Sequence, residues 1–176
     1  MDYSVMTEFL SEDNIKKHLE YLRDLKLRLS ILEKSLPQLK DKAIGDIARL
    51  PIDRLAKAEA VKLKNEILSH EVFFNSFTES NGKCEWIKKY YSSREAFLYE
   101  LFVEAMATDG QFLYVYKDRH GSPAYSFSVD SPDVFIRYQP LLAMDLYEHT
   151  YFADYGFKKD KFLRSALERF DLRKLE

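Results

Sequence analysis

"PLLAMDLYEHTYFADYG", residues 140–156, sets Asp145, Glu148 and His149 inside an otherwise apolar and aromatic run. An aspartate followed four residues later by a histidine can aim both side chains at one point, and the neighbouring Leu, Met, Tyr and Phe would keep that point dry. The stretch therefore raises the question of a bound metal ion.

The chain holds four histidines, His18, His70, His120 and His149. Three of them fall in stretches of helical spacing beside large apolar residues. His120 is different: it sits in the turn "KDRHGSP" beside Asp118 and Gly121, where a solvated surface histidine is the plain reading. A lone histidine on an apolar face is more often a hydrogen-bonded core residue than a ligand. His18, His70 and His149, with Asp145, argue for a metal only if they converge, and spacing alone does not show convergence.

From Ser11 to Leu36 the residues Ile15, Leu19, Leu22, Leu25, Leu29, Leu32 and Leu36 recur at steps of three and four, which predicts a long amphipathic helix capped by Ser11 and ended by Pro37. A second long helix is expected from about Ile52 to Phe77, and the two would form an antiparallel hairpin. "SSREAFLYELFVEAMATDG" reads as a further helix, from Ser92 or Ser93 to Gly110. "QFLYVY" and "AYSFSV" read as a β-hairpin, and the apolar run Ile136–Leu146 as a third strand. A short helix around His149 and an amphipathic one from Lys159 to Leu172 follow. The expected class is α+β, with a helical hairpin over residues 1–80 and an α/β lobe with a three-stranded antiparallel sheet over residues 81–176.

At 176 residues, 46% hydrophobic and 32% charged, with a formal net charge of −2, the chain has enough material for one core and no electrostatic bias toward nucleic acid. "KKYY" at Lys88–Tyr91 is one basic and aromatic patch, too little to change that. No apolar run reaches the length of a membrane span, and the start resembles no signal peptide. Cys84 has no second cysteine to pair with, which suits a reducing compartment, and a cytoplasmic protein is expected. Trp86 reads as a packing anchor.

Three blocks together resemble the iron/manganese superoxide dismutases. "MDLYEHTYFADYG" is similar to that family's D-x-W-E-H-x-Y-x-x-D-Y signature, with Tyr147 in place of the tryptophan. "SHEVFFNSF" resembles the N-H-x-F-Y/F-W-N-x-L block of its second helix, and "SEDNIKKHLEYL" the start of its first. "TDGQFLYVYKD" corresponds to its G-S-G-W-x-W-L-V strand. The resemblance implies one iron or manganese ion per chain, bound by His18, His70, Asp145 and His149. It also implies superoxide as the substrate and a homodimer in which Glu148 reaches the partner's metal histidine.

Departures from the family pattern surround these positions. The family's tyrosine eight residues after the first ligand is Lys26, and its histidine four residues after that ligand is Leu22. The tyrosine that this histidine meets across the dimer is Phe152, so both polar partners are replaced together. The family's glutamine is absent from both of its usual places, which hold Glu66 and Val129, and Gln111 and Leu113 replace two tryptophans. The joint change to Lys26 and Glu66 suggests an ion pair at the channel mouth, with Lys26 offering positive charge to incoming superoxide. A dismutase is the leading expectation. The alternative is a catalytically weak or inactive metal-binding scaffold, motivated by the lost tyrosine, histidine and glutamine.

Overall fold

Ser11 opens the first long helix in the way its sequence implies. Its hydroxyl accepts from the Asn14 amide at 3.2 Å, and Glu12 and Asp13 place negative charge in the first turn of α1 (Glu12–Ser35). Pro37 follows directly on the C-cap Leu36. A short α2 (Ile44–Ile47) lies in the connection to α3 (Arg54–Phe74), whose N-cap Asp53 accepts from the Leu55 and Ala56 amides at 2.8 and 3.0 Å. The computed structural model describes residues 3–79, 84–128 and 133–176. In the second half, α4 (Arg94–Ala107) is capped by Ser93, and β1 (Phe112–Lys117) and β2 (Pro123–Ser128) follow. Then come α5 (Asp133–Arg137), β3 (Leu142–Asp145), α6 (Glu148–Tyr155) and α7 (Lys159–Glu168).

The three strands form one antiparallel sheet in the order β2-β1-β3. β1 is buried along nearly its whole length because it is central, and its register sets Phe112 opposite Asp145. The β1–β2 turn closes with Gly121 at φ 77, while the Asp118 carboxylate accepts from the His120 and Ser122 amides at 2.8 and 2.9 Å. The class is α+β, a helical hairpin followed by the sheet and further helices. Among the described residues, no helix is long and apolar enough to cross a membrane.

Boundaries differ from the sequence expectation at three elements; one is α7, which ends at Glu168 rather than Leu172, because Leu172 opens a separate 3-10 turn (Leu172–Leu175). Only Leu142–Asp145 of the apolar run 136–146 pairs with β1; Ile136 belongs to α5 and is half-exposed, and Pro140, with no N–H to donate, sits just outside the ladder. α3 spans Arg54–Phe74 rather than 52–77, since the Asp53 cap starts it and Phe77 bridges to Phe170 instead of continuing the helix.

The core holds Phe73, Phe97, Tyr114, Phe162 and Phe170, joined by Met6 from a 3-10 turn (Ser4–Glu8) that the sequence reading did not assign. Two polar joints fix how the elements meet. Ser76, just after α3, accepts from the Ala143 amide at 2.7 Å and so ties α3 to β3. Asn14 on α1 donates to the Thr150 carbonyl at 2.8 Å and to Asp154 Oδ2 at 2.9 Å, while the Ser11 amide donates to the same carboxylate oxygen at 2.9 Å. The second joint is buried at Asn14 and fixes α1 to α6. Asn14→Ala is expected to destabilise the protein by about 1 kcal/mol, since it removes the buried hydrogen bond to the Thr150 carbonyl and one of the two donors to Asp154. An unchanged urea midpoint in that variant would show that the joint contributes nothing.

Candidate metal centre

The joints bring four side chains from four elements together. His18 lies one turn after Asn14 on α1, His70 lies on α3 two turns before Ser76, Asp145 ends β3 and His149 opens α6. Each can offer one donor atom, and these atoms all lie within 4.8 Å of one another. Asp145 Oδ2 is 3.1 Å from His18 Nε2, 3.5 Å from His70 Nε2 and 3.5 Å from His149 Nε2. His18, His70 and Asp145 are buried; only the His149 side chain, 43% exposed, reaches solvent.

The atoms left over identify what the cluster fits. Asp145 Oδ1 accepts from the Tyr147 amide at 3.0 Å, and His70 Nδ1 lies 2.7 Å from the Glu66 carbonyl, which makes Nδ1 the protonated nitrogen of that ring. The atoms facing inward, His18 Nε2, His70 Nε2 and Asp145 Oδ2, are buried and have no hydrogen-bond partner despite their short separations. Each such orphan costs about 1–3 kcal/mol. Lone pairs of imidazole and carboxylate converging on one buried point are reconciled by a cation, and this donor set suits iron or manganese. Groups of this kind place a candidate metal site at His18, His70, Asp145 and His149.

The electrostatics follow from the same geometry. Burial works to raise the Asp145 carboxyl, yet the three imidazoles facing it outweigh that and hold it well below the usual carboxylate range. Burial carries His70 down from 6.5 to about 4, against the pull of Asp145. Burial also opposes the charged form of His149, but the Asp145 carboxylate 3.5 Å away shifts it upward overall. For the metal-free chain the sign is fixed by His70: between pH 6.5 and about 4 the unfolded chain binds a proton that the folded one refuses. Its stability is therefore expected to fall as pH drops through that window, while His149 makes stability fall as pH rises above 6.5. Urea unfolding across this range checks both slopes; a flat profile below pH 6.5 would remove the His70 contribution.

A family model described as "Iron/manganese superoxide dismutases, C-terminal domain" matches residues 80–176. The chain belongs to the iron/manganese superoxide dismutase family. An enzyme named "Superoxide dismutase [Fe]" from Cupriavidus metallidurans is 28% identical over 150 residues, covering 80% of this chain and 73% of its own. "Superoxide dismutase [Mn] 1" from Halobacterium salinarum is 29% identical over 110 residues, covering 58% of this chain and 54% of its own. One relative is named for iron and the other for manganese, so the likeness carries the family and leaves the metal open.

Lys26 and Glu66 do not pair, contrary to the sequence expectation. Lys26 Nζ binds Glu71 Oε1 at 2.7 Å, whereas Glu66 Oε2 accepts from the Tyr21 hydroxyl at 2.8 Å. Helix geometry gives the reason. Five residues separate Tyr21 from Lys26 and Glu66 from Glu71, which turns each pair about 140° around its helix and onto different flanks of the hairpin. One flank carries Tyr21–Glu66 and, two turns along, Arg28–Glu59; the other carries Lys26–Glu71 and Lys64–Glu33. Lys26 is thus half-exposed and committed to an ion pair away from Glu66.

Other positions divide between core and surface. Leu22 is buried, Glu148 is exposed in the first turn of α6, and Phe152, 45% exposed, packs edge-on against Phe157 at 5.2 Å. Leu113 is buried, Gln111 accepts from the Leu146 amide through its backbone, and Val129 lies outside the described residues. Cys84 is buried with its thiol pushed up by burial, which suits an inert role. The aromatic wall comes from Tyr147, which the sequence pointed to, and from phenylalanines that it did not single out. Phe73 and Phe74 lie 5.3 and 5.2 Å from the His18 ring, Phe112 lies 5.3 Å from His70, and Tyr147 stacks on His149 at 5.1 Å. Tyr21 stands 5.4 Å from His70 and 5.6 Å from His149. Its spacing of three from His18, one face of one helix, was the available signal. Burial first, then the hydrogen bond to Glu66 and its charge, push the Tyr21 phenol up to about 12, so it donates throughout the neutral range.

Proposed function

We propose that His18, His70, Asp145 and His149 hold one iron or manganese ion and that the chain converts two superoxide anions and two protons to oxygen and hydrogen peroxide. The observation that carries this reading is the set of buried, inward-facing donor atoms without hydrogen-bond partners. A bound ion of either metal would supply a one-electron couple between two oxidation states. The chain's own residues do the rest. Asp145 contributes the negative charge that compensates the cation, and the Glu66 carbonyl keeps His70 Nε2 free of its proton and facing the ion. Phe73, Phe74 and Phe112 exclude water from the buried side, so a small anion approaches past His149 and Tyr21. The reading includes a homodimer, which would cover the exposed Glu148 and Phe152, a cytoplasmic location in keeping with unpaired Cys84, and a division of the chain into residues 1–80 and 81–176.

Metal analysis of protein purified without supplementation, joined to a superoxide turnover assay, tests the function. The expected result is close to one iron or manganese per chain and turnover above that of the free ion. A metal-replete sample no faster than the free ion would make the chain a metal-binding scaffold, and a sample free of both metals would end the proposal.

A further inference from the structure

We propose that Tyr21 and Glu66 form a gate on the open side of the metal pocket, in which the phenol anchors the Glu66 carboxylate away from the metal position and leaves that position to a small anion. The inference rests on the metal-binding reading above. Three of the four donor residues are closed off from solvent, and the approach runs past the half-exposed His149. Tyr21 covers this approach, its ring against both His70 and His149 and its hydroxyl donating to Glu66 at 2.8 Å. Glu66 stands one helical turn before His70 on the same face of α3, and its carbonyl already engages that ring. Its carboxylate is therefore an anion next to a cation site and a competent ligand for manganese or iron in its own right. The hydrogen bond from Tyr21 is what holds it aside.

The gate has a consequence that packing alone does not. Once the phenol oxygen is removed, the carboxylate loses its donor and gains freedom to turn toward the ion, where it competes with any anion entering from solvent. A hydrogen bond to a charged group corresponds to roughly tenfold or more in an equilibrium. Glu66→Gln behaves differently, because the amide oxygen still accepts from Tyr21 while the competing charge is gone.

The test uses the full chain loaded with iron, with azide as the small-anion probe followed by absorbance, and chelator-driven iron release as a second measurement. Tyr21→Phe is expected to weaken azide binding about tenfold and to slow iron release, since the freed carboxylate occupies the anion's place. Glu66→Gln should bind azide at least as tightly as the wild type, and the double variant Tyr21→Phe with Glu66→Gln should recover near wild-type affinity. Wild-type azide affinity in iron-loaded Tyr21→Phe overturns the gate and leaves the metal-binding reading intact. So does a double variant as weak as Tyr21→Phe alone. A wild-type chain that takes up no iron, seen by metal analysis before azide is added, overturns both.

Discussion

Asp145→Ala is expected to leave the purified chain with well under a tenth of the wild-type iron and manganese and with no turnover above the free ion. The magnitude follows from what the side chain does. It is the only negatively charged group among the four, and a single oxygen, Oδ2, faces all three imidazoles at 3.1–3.5 Å. Changes to outer hydrogen-bond partners of a metal site alone cost on the order of 10–100-fold in affinity, and removing a charged ligand should cost more. Alanine also leaves the Tyr147 amide without its acceptor, which loosens the turn that presents His149. His70→Ala should give the same loss by a different route, deleting a donor whose orientation the Glu66 carbonyl sets. Equal metal content in either variant, measured by mass spectrometry on protein shown to be folded, would sink the assignment of these residues as ligands.

The second large effect is on stability. Stripping the metal should lower the unfolding temperature by on the order of 10 °C, because an ion bound only to the folded state at a thousandfold excess over its Kd stabilises by about 4 kcal/mol. In a chain of this size each kcal/mol moves the midpoint by roughly 2–4 °C. The stripped protein keeps three buried atoms facing one another without partners, and one of them, His70 Nε2, belongs to a ring whose proton is held on Nδ1, so it has none to share unless that ring is charged. Scanning calorimetry with and without chelator gives the shift directly. Asp145→Ala should show no chelator-dependent shift, and a wild-type chain indifferent to chelator would mean that the pocket closes as firmly without a cation.

The elements and the convergent residues were readable to different depths. The Ser11 cap, the steps of three and four leading to His18, and the paired Asp145 and His149 are local patterns, so sequence placed them well, and the structure does bring the four side chains together. Tyr21 and Lys26 were harder because they occupy the same apolar-faced helix, and the choice of partner depends on how α1 is rotated against α3. That rotation is set by packing between the helices, which no single helix encodes. The reading therefore gave Glu66 the wrong donor, Lys26, when a phenol five residues earlier faces it. Ile136 shows a related limit: in a short apolar run, strand and helix look alike, and Pro140 decided where pairing could begin.

Asn14 and Thr150, the residues that lock α1 to α6, are 136 positions apart in the chain. His18 and His70 are therefore synthesised well before Asp145 and His149, and the lock cannot form until α6 has been added. Two imidazoles alone are a weaker donor set than the four residues together. The long-range lock delays completion of the proposed four-donor pocket until synthesis has passed α6, at the cost of a non-local closure. On the metal-binding reading, an ion that needs all four donors can therefore be held only once α6 has been made.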